Sequence, residues 1–300
     1  MRRAGTIDLH THSICSDGTQ TPAELVAAAA AAGIAVLGLT DHDTVGGLSA
    51  AEDAARMHGV QLLPGMEVST RNRGQGQHLL VYGLDSHTAN TGPLAELVAR
   101  GMDGRRGRIP AMVEALTTVG AAINVEDVLA AAGTATPGRP HVADALVAAG
   151  HATDRADAFD RLLGTGKPGH VVRFAPEIDD VIAAATRVGA VCVVAHPWGR
   201  KTHISHDRFV ELAAAGLVGI EVDHQEHDTA ARAGLREIAT DLGLIVTGSS
   251  DHHGTGKVNH DLGCNTTAPI ELERLLAAAE AARASARRQG QAPGRPGTSR

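Results

Sequence analysis

Short clusters of histidine and carboxylate punctuate the chain: Asp8-Leu9-His10-Thr11-His12, Ser16-Asp17-Gly18, Asp41-His42-Asp43, Gly65-Met66-Glu67, Gln77-His78, Ala195-His196-Pro197 and Asp251-His252-His253. Imidazole and carboxylate hold zinc, manganese or iron while leaving positions open for water and substrate. Were His10, His12, Asp17, His42, Glu67, His78, His196, Asp251 and His253 to converge, they would exceed the needs of one structural ion. They would suit a multinuclear hydrolytic centre. Taken singly, each has a plainer reading. Ser16-Asp17-Gly18 is an ordinary turn, Asp41 and Asp43 suit the first turn of a helix, and a lone Glu67 suits a solvated strand end. The joint reading rests on position, because nearly every cluster follows an apolar, strand-like run. His10 and His12 stand at i and i+2, as do Asp251 and His253, so each pair shares one side of an extended chain. Asp8 has the parity to orient one of the first two rings.

The elements that must position these groups alternate. Strands are expected at 6–10, 34–39, 60–64 and 78–82, with helices from Thr21 to Gly33 and over 46–57. Thr21, Pro22 and Glu24 form an N-cap, a first-turn proline and a capping box. Strands separated by helices imply parallel pairing and an active edge at the strand C-termini. Between residues 92 and 166 five helical stretches follow one another (93–106, 109–119, 125–132, 140–149 and 155–163), the pattern of a helical insertion. Alternation then resumes, with strands at 190–195, 218–222 and 244–248 and a last helix over 269–285. The expected domains are a discontinuous α/β barrel over 1–91 and 167–285, the insertion over 92–166, and a disordered tail over 286–300.

Composition narrows the function classes. Aromatics are 2% of 300 residues, too few for the base-stacking platforms of RNA-binding folds. A net charge of −7 provides no global basic footprint, although bound divalent ions would make the site itself positive. Cys15, Cys192 and Cys264 form no C-x-x-C pair, which suits free thiols in a reducing compartment. With no signal-peptide pattern and no bilayer-length apolar run, the expected location is cytoplasmic, with no membrane association and no obligate protein partner indicated.

In order, D-L-H-T-H-S, S-D-G, T-D-H-D-T, G-M-E-V-S, H-L-L-V-Y-G, A-H-P and G-S-S-D-H-H-G resemble the PHP (polymerase and histidinol phosphatase) superfamily over about residues 6–280. Within it the chain is similar to stand-alone phosphoesterases that act on nucleotides. The resemblance implies a distorted (β/α)7 PHP barrel carrying an inserted helical subdomain and two or three divalent ions. Manganese is the first choice, with iron, zinc or magnesium as alternatives. It also implies the ligand sets: His10, His12, Glu67 and Asp251 on one ion, Glu67, His78 and His196 on a second, Asp17, His42 and His253 on a third. Aspartate at position 17, where other branches use histidine, favours the nucleotide branch over histidinol phosphatase.

Gly138-Arg139-Pro140-His141 matches a motif this branch uses near its substrate. A helix opening at Pro140 would offer free N–H groups and a positive dipole beside the Arg139 guanidinium, which suits a phosphate. A helix-capping arginine is the plainer alternative. His141 and His224 are further substrate contacts by this resemblance, and His227 a candidate proton donor, with Asp17 and His42 the other catalytic candidates. Surface histidines are the plainer reading of His224 and His227. Lys167, His170 and Arg173 are weaker phosphate contacts, and Trp198 belongs either at the mouth of the site or in the core.

The expected reaction is metal-dependent removal of the 3′-phosphate from a 3′,5′-bisphosphorylated nucleoside, giving a 5′-monophosphate. A 5′→3′ exonuclease acting on short 5′-phosphorylated RNA or DNA is the nearest alternative. A silent module that binds metal and a phosphorylated ligand is the alternative from another class.

Overall fold

A computed structural model describes residues 5–84, 89–199 and 202–290. The first half alternates: β1 (Thr6–Thr11), α1 (Pro22–Ala31), β2 (Ile34–Leu39), α2 (Leu48–His58), β3 (Gln61–Asn72) and β4 (Gln75–Tyr82). Thr21 and Glu24 close the expected capping box on α1. Leu25, Val26 and Ala29 of that helix bury against Ala51, Ala54 and Ala55 of α2, where small side chains permit close helix packing.

Helices α3 (Gly92–Gly107), α4 (Ile109–Thr118), α5 (Val125–Ala132), α6 (Arg139–Ala148) and α7 (Arg155–Ala158) follow, the last running into a π-helical turn over Phe159–Leu163. They enclose an apolar cluster of their own around Ile109, Met112, Leu116, Val142, Leu146 and Leu163. Then come α8 (Ile178–Arg187), β5 (Val191–Ala195), α9 (His206–Ala215), β6 (Leu217–Asp223), α10 (Thr229–Asp241), β7 (Ile245–Gly248) and α11 (Pro269–Gly290). Residues 286–290, expected in the disordered tail, belong to α11, in keeping with the Ala- and Arg-rich sequence before them. Residues 291–300 of that tail lie outside the described residues.

The strands form one curled seven-stranded sheet in the order β1 to β7. Pairing is parallel except around β4, which runs antiparallel to both β3 and β5. All-parallel pairing fails here because only Arg73 and Gly74 separate β3 from β4. Both have positive φ, 51° and 84°, the geometry of a two-residue hairpin. The edges of the sheet approach each other just beyond β7. The His12 N–H donates to the His252 carbonyl at 2.9 Å. Asp8 accepts the N–H groups of Ser250 and Gly263 at 3.0 and 2.9 Å. This corrects the expected role of Asp8: its carboxylate closes the sheet and orients no histidine.

Alternate strand residues build two cores. Met66, Val68, Leu79, Val81, Cys192, Val194, Ile220 and Val222 pack against α8, α9 and α10. Leu9, Leu80, Tyr82, Val193 and Ala195 turn the other way, toward α11. Among the described residues, no helix is long and apolar enough to cross a membrane.

Candidate functional site

His10 and His12 leave the end of β1 with their Nε2 atoms 3.0 Å apart. Each Nε2 lies 3.2 Å from Glu67 Oε2, and Asp251 Oδ1 stands 3.5 and 3.3 Å from the two rings. Glu67 is the junction of the whole cluster. Its Oε2 also lies 3.0 Å from His42 Nδ1, while its Oε1 lies 2.9 Å from His78 Nδ1 and 3.1 Å from His196 Nε2. On the far side of His12, Asp17 meets His253 at 3.3 Å and His42 at 3.7 Å. All nine expected ligands are thus brought together. Four groups have ligand atoms close enough for one ion: His10, His12, Glu67 and Asp251; His42, Glu67 and His78; His12, Asp17, His42 and His253; and, with two residues outside the expected set, His224, Asp251 and His260. His196 joins through the Glu67 oxygen that faces His78.

Two positions differ from expectation. Glu67 does not follow a strand; it lies inside β3. Its N–H donates to Thr40 at 3.0 Å, extending the pairing of β2 with β3 past Pro64. His78 stands in the first half of β4, and because β4 is reversed, this half meets the edge where the parallel strands end. Asp43, His196 and Asp251 have positive φ of 56°, 29° and 52°, left-handed backbone that non-glycine residues rarely adopt and that collects at functional sites.

The residues fit divalent cations. Asp251 Oδ1 and His42 Nδ1 are buried, and although His12 and Glu67 stand 3.3 and 3.0 Å from them, neither is engaged in a well-directed hydrogen bond among the described residues. Lone pairs gathered in a water-poor space are satisfied by a metal ion. Without one, charge is balanced by protons. Burial opposes charging of His10 and His12, but Glu67 and Asp251, with Glu221 at His10, overcome it and raise His12 to about 9. Burial pushes His42 down to about 3, leaving a neutral ring. Burial would raise Glu67, yet His42, His78 and His10 hold it well below the usual carboxylate range.

Several supporting residues escaped the sequence reading. Glu221, fully buried in β6, accepts from His10 Nδ1 at 3.0 Å and from the His196 N–H at 2.9 Å. A charge inside Val218-Gly219-Ile220-Glu221-Val222 was the available signal. Asp41 accepts from the Ser13 N–H and hydroxyl and the Ser16 hydroxyl at 2.6–2.8 Å, pinning the loop that carries Asp17. The Lys257 ammonium contacts Asp251 Oδ2. Arg155, held by Asp144, donates to the Asp17 carbonyl at 2.9 Å and ties α7 to that loop.

The expected substrate contacts divide. Arg139 opens α6, its guanidinium 5.6 Å from the Phe159 ring centre. His141, two residues on, accepts the Gly138 N–H at 3.1 Å and lines a pocket with Ser16, Gly18, Gly133 and Arg155. His224 is instead fully buried, 3.3 Å from Asp251 Oδ2, where it braces a carboxylate of the candidate cluster. His227 donates from Nδ1 to the Val222 carbonyl and accepts the Trp198 N–H, so its ring has no spare proton for a leaving group. Trp198 packs against the core, with its indole N–H on the Ile204 carbonyl.

Comparison with known proteins points to one family. The PHP domain family matches residues 8–131. The chain is 33% identical over 266 residues to the 3′,5′-nucleoside bisphosphate phosphatase of Chromobacterium violaceum, covering 86% of this chain and 90% of that one. It is 32% identical over 255 residues to the 5′-3′ exoribonuclease of Haemophilus influenzae, covering 82% and 89%. A solved structure described as a metal-dependent phosphoesterase from Bifidobacterium adolescentis superposes with a TM-score of 0.84 at 34% identity, covering 92% and 96%.

Proposed function

The chain belongs to the PHP domain family and is a metal-dependent phosphoesterase, and from that premise we propose that it removes the 3′-phosphate of 3′,5′-bisphosphorylated nucleosides to leave 5′-monophosphates. One observation carries the reading: the loop that carries Asp17 and the opening of α6 line one pocket, through Ser16, Gly18 and His141, with Arg155 donating to the Asp17 carbonyl at 2.9 Å. A substrate spanning both carries one phosphate to be cleaved and another to be held. The relative from Chromobacterium violaceum is named for such a substrate.

His10, His12, Glu67 and Asp251 would hold one ion, Glu67, His78 and His196 a second, and Asp17, His42 and His253 a third. When bound, divalent ions, manganese first among them, lower the pKa of water and neutralise charge on the phosphoryl oxygens. The chain's own residues orient and clamp. Glu221 keeps His10 Nε2 turned inward, His224 and Lys257 hold Asp251, and Asp41 fixes the Asp17 loop. Arg139 and the N–H groups that open α6 grip the 5′-phosphate. Residues 92–166 act as an insertion that brings this grip to a barrel built from 1–91 and 167–285.

A second reading, stepwise release of mononucleotides from 5′-phosphorylated oligonucleotides, is supported by the exoribonuclease relative and uses the same anchor. The test is product analysis with the manganese-loaded protein and 3′,5′-adenosine bisphosphate. AMP and inorganic phosphate, without adenosine, is the expected result. No turnover of that compound, with AMP released from a 5′-phosphorylated dinucleotide, would replace the first reading by the second.

A further inference from the structure

The pocket shared by the Asp17 loop and the opening of α6 has a volume of about 330 Å³. Small-molecule sites begin at about 300 Å³ and are mostly apolar, with a few polar groups that set orientation. Much of this wall is apolar. Ile14, an exposed side chain of the Asp17 loop, lines it, and so do Ala130, Ala131 and Ala132 in the last turn of α5. Three methyl groups at a helix end leave room where larger side chains would fill the space.

The charged group on the wall is already matched. Arg155 gives Nε and Nη2 to Asp144 at 2.6 and 2.7 Å, and Nη1 to the Asp17 carbonyl at 2.9 Å. Its fork is therefore committed and holds no anion in the pocket. Ser16 is committed as well, its hydroxyl donating to Asp41 at 2.6 Å. His141 is not. Its Nδ1 accepts the Gly138 N–H at 3.1 Å, which places the ring proton on Nε2. Burial lowers the pKa of this ring, so it is neutral. Its Nε2 has no hydrogen-bond partner among the described residues. A pocket with a spare guanidinium would select a phosphate. A neutral N–H beside methyl groups suits a neutral, flat heterocycle, whose faces are apolar and whose edge carries acceptor atoms.

We propose that this pocket holds the nucleobase of the substrate, with a face of the ring against the α5 alanines and an edge acceptor on His141 Nε2. The proposal rests on reading the substrate as a 3′,5′-bisphosphorylated nucleoside. In such a molecule the nucleoside lies between two phosphates, as the pocket lies between the Asp17 loop and the opening of α6. Alanine in place of an aromatic platform makes this a site for one base rather than for a stack of them.

The experiment is calorimetric titration of the metal-loaded protein with AMP and with ribose 5-phosphate, which keeps the sugar and phosphate and lacks the base. Wild type is compared with Ala130→Leu and Ala131→Leu, which fill the pocket from exposed positions of a helix that tolerates leucine. Circular dichroism establishes that each variant is folded. The expected result is AMP bound about tenfold tighter than ribose 5-phosphate by wild type, with that ratio falling toward one when the pocket is filled. Equal binding of the two compounds by wild type would overturn the proposal. So would a preference for AMP that survives in both leucine variants, since the base would then lie elsewhere. If 3′,5′-adenosine bisphosphate is not hydrolysed but the preference is present and is lost on filling, the substrate reading fails and the base pocket stands. Hydrolysis of that compound without any preference for AMP keeps the substrate reading and removes the pocket.

Discussion

Glu221 accepts a hydrogen bond from His10 Nδ1 at 3.0 Å, with both side chains fully buried beneath the histidine and carboxylate cluster. The bond fixes the tautomer of His10, so that its Nε2 lone pair faces His12, Glu67 and Asp251. The other Glu221 oxygen holds the His196 main chain, placing two ligands from one carboxylate. Partners of this kind typically contribute 10- to 100-fold to metal affinity or activity. Glu221→Gln keeps the shape and removes the charge. It should lower metal affinity or turnover by about that factor, read as metal retained after dialysis and as kcat. Unchanged metal retention and kcat would show that Glu221 serves packing alone.

Asp17 and His42 belong to the group on the far side of His12, and His42 is the one residue shared with the His78 group. Removing either should cost one ion per chain and about 100-fold or more in kcat, while the buried sheet holds the fold. Metal analysis of Asp17→Ala and His42→Ala, beside their thermal midpoints, checks this. Full metal content with lost activity would move these residues from metal binding to substrate contact.

Arg139 carries a different expectation. It is placed to grip a group that does not react, so its loss should weaken binding more than chemistry. Arg139→Ala should raise KM for a 3′,5′-bisphosphorylated nucleoside by about tenfold and leave kcat within a few-fold. If neither constant moves, the phosphate anchor lies elsewhere.

Metal binding should release protons. In the metal-free protein His12 is raised to about 9, so its ring is protonated at pH 7.5, and the carboxylates around His10 push that ring in the same direction against burial. His42, near 3, is already neutral and releases none. A ligand must shed its proton before it binds a metal, so uptake at pH 7.5 should free at least the His12 proton, and affinity should rise with pH until His12 titrates near 9. Calorimetry in buffers of different ionisation enthalpy counts them. A count near zero would mean that both rings are neutral before metal arrives.

The convergence of the nine candidate ligands was legible because each is polar and interrupts or follows an apolar run, and the spacing of His10 with His12 and Asp251 with His253 survives folding unchanged. What positions them was less legible. Glu67 reads as a strand end after Pro64, yet pairing with β2 carries β3 onward to Asn72. The reversal of β4 depends on the Arg73-Gly74 turn, which a search for parallel units passes over. Glu221 takes the orienting role expected of Asp8, because strand parity gives the face of a side chain and not its partner. His227 looks like an exposed proton donor until the turn after β6 engages both its nitrogens.

Gly38 tests how tightly the sheet sets the metal centre. Its missing side chain lets β2 lie against β1: a Cβ there would stand 2.1 Å from the Leu9 carbonyl oxygen and 2.7 Å from the Leu9 Cα. Both are main-chain atoms, so the contact is relieved only by moving a strand. Thr11 locks the same spot by donating from Oγ1 to the Gly38 carbonyl at 2.7 Å. His10 lies between Leu9 and Thr11, so a displacement of β1 moves His10 and His12 directly. Gly38→Ala should destabilise the fold by about 3 kcal/mol and loosen metal binding with it. Gly76, in β4, has open space where its Cβ would be, and Gly76→Ala should be near neutral in both respects. Thermal midpoints and metal content of the two variants decide the matter. A Gly38→Ala protein as stable and as metal-replete as Gly76→Ala would mean that β1 shifts without cost and that the ligand cluster is held from the β3 side instead.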